Sequence, residues 1–140
     1  MPYFLSTPDL ITGNKFLDTE HLNMIQLIDA LIAACESGAS TGTVRLHVGH
    51  LIDFAQEHFE REEWAMRRTA FDGRDTHAQD HARLLQDVAT LRLQLDADQP
   101  MDCARTYNFL RAWLRQHILA FDIPMVAQQH FDLGHPSTHG

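Results

Sequence analysis

Seven residues in this chain form one ordered pattern: His21, then His58-x3-Glu62, then His77-x3-His81, then His117-x4-Asp122. Residues four apart on an α-helix are separated by only about 40° around the axis and about 6 Å along it. His58 with Glu62, and His77 with His81, can therefore each face one interior. These positions also continue apolar stripes, through 51, 55, 58 and 62 on one segment and 77, 81, 84 and 88 on the next. A chain that directs so many ionisable side chains into its core needs something there to balance them, since an unpaired buried charge costs several kcal/mol. Five imidazoles and two carboxylates with no thiolate suit a pair of iron ions.

Apolar residues recur at helical spacing in four blocks. The first runs through Leu17, Met24, Ile25, Ile28, Leu31, Ile32 and Cys35, with Asp18 as its expected N-cap and Gly38 as its stop. A second carries Val44, Val48, Leu51, Ile52, Ala55, Phe59 and Met66; it is entered from Ser40-Thr41-Gly42-Thr43 and closed near Gly73. A third holds Leu84, Leu85, Val88, Leu91 and Leu95, with Asp75 or Thr76 as cap. Pro100 separates it from a fourth, with Cys103, Tyr107, Leu110, Trp113, Leu114, Ile118 and Phe121. The short connections predict antiparallel neighbours, hence an all-α, up-down-up-down four-helix bundle. In that topology the regions around His21, His58/Glu62, His77/His81 and His117/Asp122 meet at one end.

The spacing of His117 and Asp122 is the exception, because five residues of α-helix turn about 140° and would part the two side chains. Pro124 cannot donate its N–H to Ala120 and disfavours α geometry at Ile123, so the helix is expected to unwind or to take a π-like turn there, and such a turn would bring both onto one face.

The 140 residues suffice for one domain, with the bundle over about 17–126, an N-terminal arm over 1–16 and a tail over about 130–140. A formal net charge of -8 argues against nucleic acid as a partner. No basic start followed by a long apolar stretch, and no apolar run long enough to span a bilayer, is present, so a cytoplasmic protein without membrane insertion is expected. Cys35 and Cys103 belong to no CxxC unit and read as two buried thiols of a reducing compartment. No Glu is followed by His three residues later, as in carboxylate-rich ferritin-like oxidases, and there is no HExxH helix or Ser or Cys nucleophile flanked by a base.

Taken together, Leu10-Ile11-Thr12-Gly13-Asn14, Asp18-x2-His21, His58-Phe59-x2-Glu62-Glu63, His77-x3-His81 and Trp113-Leu114-x2-His117-Ile118-x3-Asp122 resemble the bacterial hemerythrins over about residues 10–126. The resemblance implies a non-heme di-iron centre: one iron on His77, His81 and His117, the other on His21 and His58, with Glu62, Asp122 and an oxo or hydroxo group as bridges. It implies reversible dioxygen binding at the open place on the second iron, with each ferrous ion able to give one electron. Leu114 would lie beside that place, and helical spacing adds Ile118, Trp113, Phe59 and Ile25 to an apolar, water-poor wall.

The function expected from the resemblance is carriage, storage or delivery of O2, for example to an oxygenase or respiratory enzyme, and not enzymatic turnover. The alternatives are a sensor of O2, redox state or nitric oxide acting through a partner, and a di-iron enzyme that consumes peroxide. Glu63, about 100° from Glu62, reads as a solvated or supporting group, while His47, His50, His130, His135 and His139 fall outside the primary site. The arm departs from the family in offering Tyr3 and Phe4 where a Trp is common.

Overall fold

The computed structural model describes residues 8–69 and 71–129. Tyr3, Phe4 and the histidines of the tail lie outside them. A 3-10 turn, Pro8–Leu10, leads into α1 (Lys15–Glu36), α2 (Thr41–Thr69), α3 (Arg74–Asp96) and α4 (Cys103–His117). After α4 the chain takes a π-turn, Ile118–Asp122, and continues as α5 (Ile123–Gln129). The result is an antiparallel four-helix bundle, whose alternating direction is visible in its cross-links. Glu20 on α1 meets His58 on α2, Arg45 near the start of α2 meets Asp96 at the end of α3, and Asp80 early in α3 meets His117 at the end of α4.

Each helix buries one stripe. On α1 it comprises Leu17, His21, Met24, Ile25, Ile28, Leu31 and Ile32. On α2 it runs from Val44 to Met66 through His58, Phe59 and Glu62. The main apolar core fills the middle and far half of the bundle. A second, smaller cluster of Leu17, Ala65, Met66, Phe71 and Met125 closes the other end. The ligand candidates lie between the two.

Helix boundaries depart from expectation in two places. The cap of α1 is Asn14, whose side chain accepts from Leu17 N at 2.9 Å, and not Asp18. Gly13, at φ +93°, turns the chain so that Asn14 arrives a residue before the helix. Asp18, freed from capping, accepts instead from Thr12 N at 2.9 Å and Thr12 Oγ1 at 2.8 Å, which fastens the arm to the first turn. Likewise α3 starts at Arg74 with Gly73 in the cap position and no side-chain cap bond, so neither Asp75 nor Thr76 serves there. The buried Phe71 ring lies beside that start, and a Cβ at Gly73 would come within 2.9 Å of it.

At the end of α4, Ile123 N donates to Ile118 O, the five-residue bond of a π-turn. His117 and Asp122 are both buried as a consequence.

The cysteines correct the sequence reading. Cys35 and Cys103 form a disulfide, with Cα atoms 5.9 Å apart, and are half-buried. The bundle topology explains it: the last turn of α1 and the first residue of α4 come together at the end opposite the ligand candidates. Their usage therefore no longer argues for a reducing compartment. Among the described residues no helix is long and apolar enough to cross a membrane.

Candidate metal centre

The four helices and the π-turn after α4 deliver all seven residues of the pattern to one buried cluster, in which His21 is 4 % exposed and Glu62 and Asp122 are fully buried. Their ligand-type atoms fall into two overlapping groups. Glu62, His77, His81, His117 and Asp122 form one, and His21, His58, Glu62 and Asp122 the other. Only the carboxylates are common to both, and each divides its oxygens between the groups. Glu62 Oε1 lies 2.9 Å from His81 Nε2 and 3.2 Å from His77 Nε2, while its Oε2 lies 2.8 Å from His58 Nε2. Asp122 Oδ1 lies 2.9 Å from His77 Nε2 and 3.1 Å from His117 Nε2, while its Oδ2 lies 2.9 Å from His21 Nε2.

The outer nitrogens of three rings are held by carboxylates that the ligand pattern does not contain. His58 Nδ1 donates to Glu20 Oε1 at 2.7 Å, His81 Nδ1 to Glu63 Oε2 at 2.8 Å, and His117 Nδ1 to Asp80 Oδ2 at 2.6 Å. Arg61 backs Glu20, and Arg83 backs Asp80 at 2.8 Å. With its proton assigned to Nδ1 by such a bond, a neutral ring turns the lone pair of Nε2 toward the centre. His81 Nε2 and His117 Nε2 then face each other at 3.2 Å, as do those of His77 and His117. Lone pairs that converge in this way need a proton or a cation between them.

The electrostatics make the same demand. Burial would raise Glu62, yet the His58 charge and bonds from several imidazoles hold it well below the usual carboxylate range. Burial and the neighbouring Glu62 charge would raise Asp122, and His117 and His21 outweigh both. Burial opposes charge on His58, but Glu62 and Glu20 push it up to about 9. His117 is raised well above its ordinary value against burial, by Asp122 first and then Asp80 and Glu62. Asp80 is lowered to about 2, chiefly by its bond from His117. Protons on imidazole supply the positive charge that the two buried carboxylates require.

Several inward-facing atoms remain without an aligned hydrogen bond despite their short contacts: His21 Nε2, His58 Nε2, Glu62 Oε2 and both oxygens of Asp122. Unsatisfied buried donors and acceptors of this density are unusual in a native interior. Their imidazole and carboxylate chemistry, free of thiolate, fits a metal site, and iron suits the set.

Glu20 and Asp80 escaped the sequence pattern, and Glu63 was placed outside the primary site. The available signal was adjacency. Each directly precedes or follows a ligand candidate, as Glu20-His21, Glu62-Glu63 and Asp80-His81. A residue about 100° from an inward-facing one lies toward the seam with the next helix.

Phe59 stacks on His81, with ring centroids 4.1 Å apart, and Phe121 stacks on His117 at 5.4 Å. Phe121 is a neighbour of the site that was assigned only to the apolar stripe. Trp113 donates its indole N–H to Leu84 O at 3.0 Å, tying α4 to α3 below the cluster. Ile25, Phe59, Trp113, Leu114 and Ile118 are all buried in the main core. His47 and His50 lie 6.2 Å apart, ring to ring, on α2 and outside both groups.

Comparison with known proteins agrees with this geometry. The model of the hemerythrin HHE cation binding domain matches residues 12–122. A hemerythrin-like protein of Naegleria gruberi is 28 % identical over 111 residues, covering 79 % of this chain and 81 % of the relative. The bacteriohemerythrin of Methylococcus capsulatus is 25 % identical over 111 residues, covering 79 % and 84 %. A crystal structure of wild-type hemerythrin superposes with a TM-score of 0.79 at 23 % identity, covering 89 % of this chain and 98 % of the other, a likeness of fold. With the matched segment spanning every residue of the buried cluster, the chain belongs to the hemerythrin family.

Proposed function

We propose that this protein binds dioxygen reversibly at a centre of two iron ions, serving carriage, storage or delivery of O2. His77, His81 and His117 would hold one ion, His21 and His58 the other, and Glu62 and Asp122 would bridge them beside an oxo or hydroxo group. When bound, the pair of ferrous ions supplies the two electrons that O2 binding draws on and that its release returns.

The observation that carries the reading is the division of Glu62 and Asp122 between two imidazole sets of unequal size, three against two. A carboxylate with each oxygen on a different side is the arrangement a bridge requires, and the poorer set leaves room for an external ligand. The family supports dioxygen as that ligand.

The remaining residues hold and shield. Glu20, Glu63 and Asp80 fix ring orientation through Nδ1 and keep Nε2 directed inward. Phe59, Leu114, Ile118, Trp113 and Ile25 would form an apolar wall. Such a wall limits water and proton access and so favours release of O2 unchanged over its consumption, which is why we propose a binding protein and not an enzyme.

Loading the full chain with ferrous iron without oxygen, admitting O2 and purging it tests the proposal. A visible absorption that appears with O2, vanishes on purging and accompanies two irons per chain supports it. Irreversible oxidation on the first exposure would move the assignment to a redox sensor or a peroxide-consuming enzyme.

A further inference from the structure

Three features meet at the end of the bundle opposite the ligand candidates. The Cys35–Cys103 disulfide ties the last turn of α1 to the first residue of α4, across a sequence separation of 68. Within residues 103–110 only Thr106 and Leu110 are buried. On the side facing α3, that half of α4 borders a cavity of about 470 Å³, lined by Asp87, Leu91 and Gln94 of α3 and by Arg105, Thr106 and Phe109 of α4. Some ten residues into α4, the Trp113–Leu84 bond ties it to α3.

We infer that this disulfide is a site of reversible thiol–disulfide exchange that governs how firmly α4 is held, and through α4 the placement of His117 and Asp122. The second half of the inference rests on the metal-centre reading above. Besides the covalent link, residues 103–110 are held through buried Thr106 and Leu110 and half-buried Tyr107, and the same helix carries His117 fourteen residues after Cys103. At the far end α1 meets the π-turn that continues α4, through His21 and Asp122. The two helices are therefore joined at both ends, covalently at one and through the candidate centre at the other.

The reductant the site would take is a dithiol. One of its thiolates attacks a cystine sulfur, the Cys35–Cys103 bond breaks, and the departing thiolate takes up a proton. The second thiol of the reductant then resolves the mixed disulfide. Two electrons and two protons end on Cys35 and Cys103, and the reductant leaves as its own disulfide. Both cysteines are half-buried, not sealed in the core. After reduction the Cys35 thiol already has an acceptor, since the Met101 carbonyl oxygen lies 3.7 Å from its Sγ.

Hydrogen exchange of the full, metal-free chain, before and after treatment with dithiothreitol and again after reoxidation, tests the clamp. Exchange within residues 103–117 should quicken roughly tenfold or more on reduction and recover on reoxidation, while α2 changes little. Cys103→Ser should resemble the reduced protein and no longer respond to dithiothreitol; if that variant does not fold, the wild-type redox cycle still decides. Loaded with ferrous iron, the reduced chain should lose iron to a chelator several-fold faster than the oxidised chain. Unchanged exchange in 103–117 overturns the inference, as does finding two free thiols per chain in protein kept under air without reductant. Unchanged iron loss beside quickened exchange overturns the link to the centre. Absence of bound iron in both redox states would overturn the proposed function, with the exchange contrast still deciding the clamp.

Discussion

Glu20, the residue before His21, does not serve its neighbour; its carboxylate accepts from Nδ1 of His58 on the next helix, at 2.7 Å. The arrangement repeats in one rotational sense around the bundle. Glu63 of α2 holds His81 of α3, and Asp80 of α3 holds His117 of α4. Each carboxylate adjoins a ligand candidate on its own helix and orients one on the following helix, so the cluster is cross-braced between helices. The progression stops at α4, and Nδ1 of both His21 and His77 has no hydrogen-bond partner among the described residues.

Substituting the bracing carboxylates should weaken metal binding without unfolding the chain. Asp80→Asn and Glu20→Gln keep size and shape but lose the charge that draws out the Nδ1 proton, and each should lower metal affinity by about 10- to 100-fold. Equilibrium titration with ferrous or cobaltous ion, alongside far-UV circular dichroism, measures both halves of the expectation. Affinity equal to wild type for both variants would show that ring packing alone orients the imidazoles.

Leu114 is buried one turn before His117. If the proposed iron pair binds O2, Leu114→Asn or Leu114→Ala should shorten the lifetime of the oxygenated protein by admitting water beside it, with roughly tenfold faster autoxidation for each 1.4 kcal/mol by which the barrier falls. Stopped-flow absorbance after an O2 pulse reads the rate directly. An unchanged rate in both variants would remove Leu114 from the wall.

The metal-free protein should be destabilised by alkali. His58 has a folded pKa of about 9, above the 6.5 of a free imidazole. Its contribution is full below pH 6.5 and is lost as pH rises through 9. Asp80, lowered to about 2 from 3.8, works in the opposite sense: its contribution is present above 3.8 and lost as pH falls through 2. Melting temperatures of the chelator-treated protein should thus fall by several degrees between pH 6.5 and 9. Metal affinity should rise over that interval, because ligating imidazoles must shed their protons. A metal-free melting temperature that climbs toward pH 9 would contradict the assignment of charge to His58.

Gly73→Ala should cost about 1–3 kcal/mol, since the new Cβ would press on the buried Phe71 ring, 2.9 Å away, and overpacking forces such a ring off its rotamer. The drop in thermal midpoint measures it. Phe71→Leu in the same background should recover part of the loss if the clash is the cause.

The parts of this fold that were legible in the amino-acid order are those governed by helical period. The four buried stripes and the convergence of seven ionisable residues follow from angles per residue; of the two irregularities that Pro124 left open after His117, unwinding or a π-turn, the chain takes the π-turn. Features set by local competition were hidden. Asn14 and Asp18 are equally good caps by residue type, and only the turn at Gly13 decides between them. At the start of α3 a glycine beside the buried Phe71 ring takes the cap position, and neither the hydroxyl nor the carboxylate nearby caps the helix. The disulfide was inferable in principle, since the antiparallel order that gathers the ligands at one end also gathers Cys35 and Cys103 at the other. Treating the cysteines by motif spacing and compartment concealed that consequence of topology. Of the bracing carboxylates only Glu63 reads as a possible supporting group; Glu20 and Asp80 were missed because each works on a helix other than its own.

Glu62 and Asp122 belong to both groups of the cluster, and Asp122 is the last of its seven residues along the chain. A ribosome-bound chain that has not yet released residue 122 therefore lacks an oxygen from each half of the centre at once. Neither half has its full set of donors until Asp122 has left the ribosome, so the two are completed together, by the last of the seven residues to be made.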